Sequence, residues 1–226
     1  RTYTWARGEL EAALDRPGLM EAFDAGFTRH GEGTLLRDGD WTEALTPVLD
    51  RLEEVRSQRP QPGIDSKVLL AWNGQALSGL ATAAALLPAP QLLVPARRLA
   101  ETLLAASIDR VPRRLGPDSP EGVLADHAHL AEGLLDLHAA DGDARWLDEA
   151  ARIGQILVDR FPDPERGSLF QSPPSASELL SRRKDWMGGD QPEAQAVAGL
   201  VLLRLSRQGC APRGRAIALE VLQHAS

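Results

Sequence analysis

The chain has 226 residues, 43% of them apolar, and a net charge of −7. An acidic chain of this size can bury a sizeable core, as one large domain or two small ones, and suits neither nucleic acid nor an anionic membrane as a partner. Its single cysteine, Cys210, excludes an internal disulfide framework and a Cys-x-x-Cys redox pair.

Residues 2–5 read as a short β-like run. Residues 9–14 read as one or two helical turns, stopped by Pro17-Gly18. Residues 23–40, rich in Gly and polar side chains, read as loop with a short strand near residues 34–36. Asp40 is the expected N-cap of a helix over residues 41–57, with Pro47 tolerated near its first turn. Pro60 and Pro62 then break the chain. The first forty residues are thus expected to be a linker with short elements, and residues 41–226 one helical domain.

The stretch at residues 64–87 is the centre of that domain. Apolar and small residues recur at Trp72, Ala76, Leu80, Ala83 and Leu87, which is helical spacing, and Leu77, Ala81 and Ala84 fill other faces. A helix apolar nearly all round is expected to be buried on most sides. Its length would suffice to span a membrane, but Asn73, Gly74, Gln75, Ser78 and Thr82 dilute it and no aromatic belt is present after it. Its polar residues, Asp65, Lys67, Asn73 and Gln75, gather at its start, as at the mouth of a cavity.

Pro88 and Pro90 close that helix, and Pro95 stands in the first turn of the next, whose apolar face is Ala96, Leu99, Ala100 and Leu103. Residues 113–121 read as loop, 124–139 as a strong helix and 146–161 as an amphipathic one. Residues 167–174 are irregular, with a short strand expected at Leu169-Phe170. Helices over residues 193–207 and 213–225 make the last pair. Few and short strands make the class all-α. Mostly buried helices begin near Trp72, Asp126 and Pro192, and amphipathic ones near Pro95, Ala144 and Arg213. An irregular repeat of helical hairpins is the pattern of a helical array or an α/α toroid, in which the inner helices start at one end.

Three motifs stand at those starts. They are Asp65-Ser66-Lys67-Val68-Leu69-Leu70-Ala71-Trp72-Asn73-Gly74; Leu124-Ala125-Asp126-His127-Ala128 with Gly133-Leu134-Leu135-Asp136-Leu137; and Arg182-Arg183-Lys184-Asp185-Trp186 with Pro192 and Val197-Ala198. In this order, with Tyr3-Thr4-Trp5 ahead of them, they resemble the thioredoxin-domain-containing family that includes spermatogenesis-associated protein 20 and its bacterial relatives. The resemblance runs over essentially the whole chain. It implies an incomplete α/α toroid of the six-hairpin glycosidase type, similar to sugar 2-epimerases, without the family's thioredoxin-like domain. The chain departs from the family at Gly188, where a carboxylate is usual, at Glu193-Ala194-Gln195-Ala196, which replaces Ser-Gly-Asn-Ser, and at His127, which replaces Tyr.

Sugar-processing toroids need an acid, a base and aromatic platforms. Asp65, Asp126 and Asp185 are the expected catalytic carboxylates. Trp72, Asn73, His127, Arg182, Lys184, Trp186 and Asp190 are the expected substrate-binding set. Each Asp also reads as a helix N-cap, and Trp72 as core. His127 and His129, two apart on a helix, do not share a face, so no metal site is expected, and no cofactor. The activity implied is hydrolase- or epimerase-like, with a small sugar as ligand. The alternative is a non-catalytic scaffold or sugar-binding module with a degenerate site. A cytoplasmic protein is expected. So is association through the last hairpin, as a homo-oligomer or with the rest of a longer polypeptide, because Val197, Leu200, Val201, Leu203, Leu205, Ile217, Leu219 and Leu222 spread too widely for one buried face.

Overall fold

Helices carry the fold, in two units that divide after Ser66. The computed structural model describes residues 2–174, 180–185, 189 and 191–224. The N-terminal unit holds α1 (Arg7–Ala13), α2 (Leu19–Gly26), an antiparallel hairpin of β1 (Phe27–His30) and β2 (Thr34–Arg37), and α3 (Leu45–Ser57). Its core is Trp5, Leu10, Leu14, Phe23, Val48 and Leu52. Three expectations change here. Residues 23–40 are not a loop: Phe23 is a buried residue of α2 and the strand near residue 34 has a partner in β1. The third helix starts at Leu45 rather than Trp41, with Ala44 and not Asp40 at its cap, and Pro47 therefore falls inside its first turn, where a missing N–H costs nothing. That helix belongs to the first unit, so the division lies after Ser66 and not after residue 40.

The second unit is built of helical hairpins. Its helices are α4 (Leu70–Leu86), α5 (Leu93–Ala105, entered through a 3-10 turn at Pro90–Leu92), α6 (Leu124–Asp141), α7 (Ala144–Arg160), α8 (Ala194–Arg207) and α9 (Gly214–His224). α4, α6 and α8 form one layer with α6 in the middle; α5, α7 and α9 form the second, each packed on its sequence neighbour. α7 shows why. It turns Trp146, Ala150, Ile153, Leu157 and Val158 inward at helical spacing, each large side chain contributing about 2 kcal/mol, and leaves its charged face to solvent. The α6–α7 turn is set by Gly142, at φ 74°, a left-handed C-cap, followed by the Asp143 carboxylate accepting from the Arg145 amide at 2.9 Å.

α4 and α6 run parallel. Ala71 meets Asp126, Gly74 meets His129 and Leu130, and Ser78 meets Asp136, so the numbers rise together along both helices. The glycines make the approach possible. A Cβ on Gly74 would lie 2.6 Å from the His129 carbonyl carbon, and one on Gly133 would lie 2.7 Å from the Gly74 oxygen. The helix buried all round is α6, not α4. α4 buries Leu70, Ala71, Gly74, Leu77 and Ala81, while Trp72 is 56% exposed. The strand expected at Leu169-Phe170 is reduced to one bridge, Leu169 with Pro162. In the last hairpin Val197, Val201, Leu205 and Ile217 join the core, and Leu200, Leu219 and Leu222 stay exposed. No helix among the described residues is long and apolar enough to cross a membrane.

Candidate functional site

The polar residues at the helix starts are tied to one another and to the backbone. Asp126, third in α6, is fully buried. Its Oδ2 accepts from the Val123 amide at 2.8 Å, its Oδ1 from the Ala71 amide at 3.2 Å, and both oxygens from Arg113 Nη1 at 3.0 Å. Burial pushes the Asp126 carboxyl up; the Arg113 charge and the amide donors pull against it. This carboxylate pins the start of α4 to the start of α6. Asn73 donates from Nδ2 to the Leu69 carbonyl at 2.8 Å, closing the first turn of α4. Lys184 sits on Asp163 at 2.7 Å and on the Gly167 carbonyl at 2.6 Å, and its hydrogen bond holds the Asp163 carboxyl down to about 2. Arg182 donates to the Ser172 and Arg160 carbonyls and lies 4.1 Å from the Phe170 ring centroid.

His127 is core. Its Nδ1 donates to the Val123 carbonyl at 2.9 Å and its ring meets Phe161 edge-on at 5.0 Å. Desolvation lowers its pKa to about 4, so it is neutral at pH 7. The three expected carboxylates have different surroundings. Asp126 is locked by Arg113 and two amides, Asp185 is exposed on the loop before α8, and Asp65 is an exposed residue of the N-terminal unit. Trp186 and Asp190 lie outside the described residues. Gln195 is a buried tie: its Oε1 accepts from the Leu169 amide at 3.0 Å and its Nε2 donates to the Asp185 carbonyl at 2.7 Å. Glu193 caps α8 by accepting from the Ala196 amide at 2.9 Å.

A second polar set runs along the middle of the inner layer. Ala125, His129, Glu132 and Asp136 succeed one another at i, i+4, i+7 and i+11, a single stripe of α6. Asp136 joins the helices on either side, accepting from Ser78 Oγ of α4 at 2.5 Å and from Arg204 Nη1 of α8 at 2.7 Å. His129 Nδ1 stands 3.1 Å from Glu132 Oε2. An ionised carboxylate only accepts, so Nδ1 is the donor of this pair. His129 is 1% exposed and its Nε2 has no partner. Buried polar atoms are almost always paired, and an open one is a common mark of function. Ser168 Oγ, Ser172 Oγ and Glu193 Oε1 are the other open atoms among the described residues. On α4 the half-exposed or exposed positions Trp72, Gln75, Gly79 and Thr82 form one stripe, and Gln75 Nε2 reaches Gln191 Oε1, just ahead of α8, at 3.5 Å. The starts of α4 and α8 therefore lie near each other at the same end.

A layer of inner helices starting at one end, backed by an outer layer, is the construction of an α/α toroid. The fold is similar to cellobiose 2-epimerase from Spirochaeta thermophila DSM 6192, with a TM-score of 0.54 and 17% identity over 80% of this chain and 55% of that one. The class is therefore all-α, with the helical hairpins of a six-hairpin glycosidase-like toroid. Spermatogenesis-associated protein 20 of Homo sapiens is 32% identical over 218 residues, 88% of this chain, and that of Mus musculus is 31% identical over the same length. Over the stretch it spans, the chain belongs to the spermatogenesis-associated protein 20 family. It spans 28% of the length of those relatives. No family model matches the chain.

Proposed function

We propose that the inner-layer row of α4, α6 and α8 binds a sugar, and that His129, oriented by Glu132, exchanges a proton with it. The observation that supports this reading is the buried imidazole with Nδ1 held at 3.1 Å and Nε2 open. A neutral Nε2 takes a proton, and the Glu132 carboxylate then steadies the imidazolium, which is the arrangement a general base needs. The proton would come from a carbon beside a carbonyl in an epimerase-like reaction, or from water in a hydrolase-like one. Trp72 supplies an exposed aromatic face. The side chains that shut Nε2 from solvent must open for a sugar to reach it, a common step in buried sites. The epimerase neighbour, named for cellobiose, supports the choice of ligand class only through its fold. The acid–base work expected of Asp65, Asp126 and Asp185 passes in this reading to His129 and Glu132.

The test is a panel of neutral mono- and disaccharides read by thermal shift, since a ligand of the native state raises apparent stability by mass action. A rise with one member is expected, and it should vanish in His129→Leu while the unliganded melting point holds or increases, because the substitution removes an unpaired buried nitrogen. The second reading, a non-catalytic helical scaffold, is favoured by the internal pairing of Asp126, Arg182 and Lys184. It predicts no response to any sugar.

A further inference from the structure

The turn between α8 and α9 concentrates positive charge in an acidic chain. No acidic residue stands between Glu193 and Glu220, whereas Arg204, Arg207, Arg213 and Arg215 all do, in a chain of net charge −7. Arg204 is held by Asp136 at 2.7 Å, and Arg213 reaches Asp159 at 3.9 Å. Arg207 and Arg215 have no carboxylate partner among the described residues. Arg215 also stands in the first turn of α9, which holds no acidic residue. Its charge lies at the positive end of the helix dipole, where a cation is unfavourable. The carbonyls that end α8 are already taken up: Leu205 accepts from the Cys210 amide at 2.9 Å and Ser206 from the Gly209 amide at 3.2 Å. Both uncompensated arginines line one hollow of about 450 Å³, together with Leu203, Pro212, Leu219 and Cys210. That volume suits a small molecule. Two guanidiniums beside an apolar wall suit a doubly charged oxyanion carried on an apolar body, and a phosphate monoester brings ~2 negative charges at neutral pH.

We infer that this hollow binds a small phosphate monoester, with the phosphate between Arg207 and Arg215 and the organic part against Leu203, Pro212 and Leu219. It shares none of its lining residues with the inner-layer row, so the inference stands or falls apart from the sugar reading.

Three probes decide the matter: phenyl phosphate, inorganic phosphate and phenol, titrated into the chain at neutral pH in a phosphate-free buffer and followed by calorimetry. Phenyl phosphate should bind tightest, inorganic phosphate about tenfold more weakly for want of the apolar contact, and phenol not at all. Arg207→Gln and Arg215→Gln should each weaken phenyl phosphate about tenfold, as suits the loss of a charge-assisted hydrogen bond. Both side chains are exposed, so both variants should keep the wild-type melting point. Cys210 is the chain's single cysteine and lines the hollow, so its rate of alkylation by a neutral maleimide reports occupancy there, and phenyl phosphate should slow it. Phenyl phosphate that binds no better than phenol or inorganic phosphate would overturn the inference. Equal binding to the wild type and both variants would overturn it too, as would binding that leaves the alkylation of Cys210 unchanged. Failure of both phosphates to bind would overturn it and leave the sugar reading untouched. Should a variant not fold, the protection of Cys210 in the unaltered chain decides the matter alone.

Discussion

The helix starts and the middle of the inner layer are both polar, and they are polar in different ways. At the starts Asp126 is held by Arg113 and two amides, Lys184 by Asp163, and Asn73 by its own first turn. In the middle, Asp136 is matched but His129 keeps an open nitrogen while fully enclosed. A saturated polar cluster holds a fold together. An unsaturated one costs stability and is kept for another reason. The difference moves the candidate chemistry about one helical turn or more along α6, from Asp126 to the stripe of His129, Glu132 and Asp136.

The largest effect expected at the starts is that of Asp126→Ala. It leaves the Val123 and Ala71 amides without an acceptor and Arg113 without its partner. We expect a loss of roughly 3 kcal/mol in a urea unfolding experiment, toward the lower end for a broken buried pair because Arg113 is partly solvated. A loss below ~1 kcal/mol would mean that the cluster does not tie α4 to α6.

Acid sharpens the same contrast. The pKa of His127 falls from 6.5 to about 4 on folding, so its neutral form stabilises the fold above pH 6.5 and that stability is lost as pH falls toward 4. The difference in unfolding free energy between the wild type and His127→Gln should therefore change by up to about 3 kcal/mol across this window, and by nothing above it. A flat difference would place His127 in water rather than against Phe161.

The close approach of α4 and α6 can be broken at a glycine. Gly133→Ala puts a methyl 2.7 Å from the Gly74 oxygen, a backbone atom that cannot swing aside. The expected cost is roughly 1–3 kcal/mol by thermal or denaturant unfolding, despite alanine's better helix propensity. Gly79→Ala, with no atom within 4 Å of the added Cβ, is the control and should be neutral or stabilising. The smallest effect is Ser78→Ala, at about 1 kcal/mol, since Asp136 retains Arg204.

Much of this is legible in the sequence. Helical periodicity and Pro-Gly punctuation locate the hairpins, and the pairing of buried with amphipathic helices anticipates the two layers. Asp126 reads as an N-cap from its place ahead of an apolar run; it stands instead third in α6, with Val123 at the cap, and its carboxylate accepts from the Val123 amide. The pattern overstates the burial of α4 because alanine and glycine count as apolar yet bring little surface to bury; what they bring is close packing on one side. The row itself is hidden for a different reason. Glu132 and Asp136 stand one turn apart inside a long helix and read as solvated positions until the α4–α6 and α6–α8 registers are known, and those registers place Ser78 and Arg204 on Asp136. The spacing from Ala125 through His129 and Glu132 to Asp136 is the one available signal. Gln195 cannot be read at all, because both of its partners are backbone groups of a loop.

The central claim is that the row, and not the helix starts, meets the sugar. One thermal-shift series tests it: wild type, His129→Leu and Asp126→Asn, each with and without the sugar that most raises the wild-type melting point. We predict that Asp126→Asn melts lower but keeps the sugar-induced rise, while His129→Leu melts at or above the wild type and loses it. The reverse pattern, with the rise lost in Asp126→Asn and intact in His129→Leu, would contradict the account.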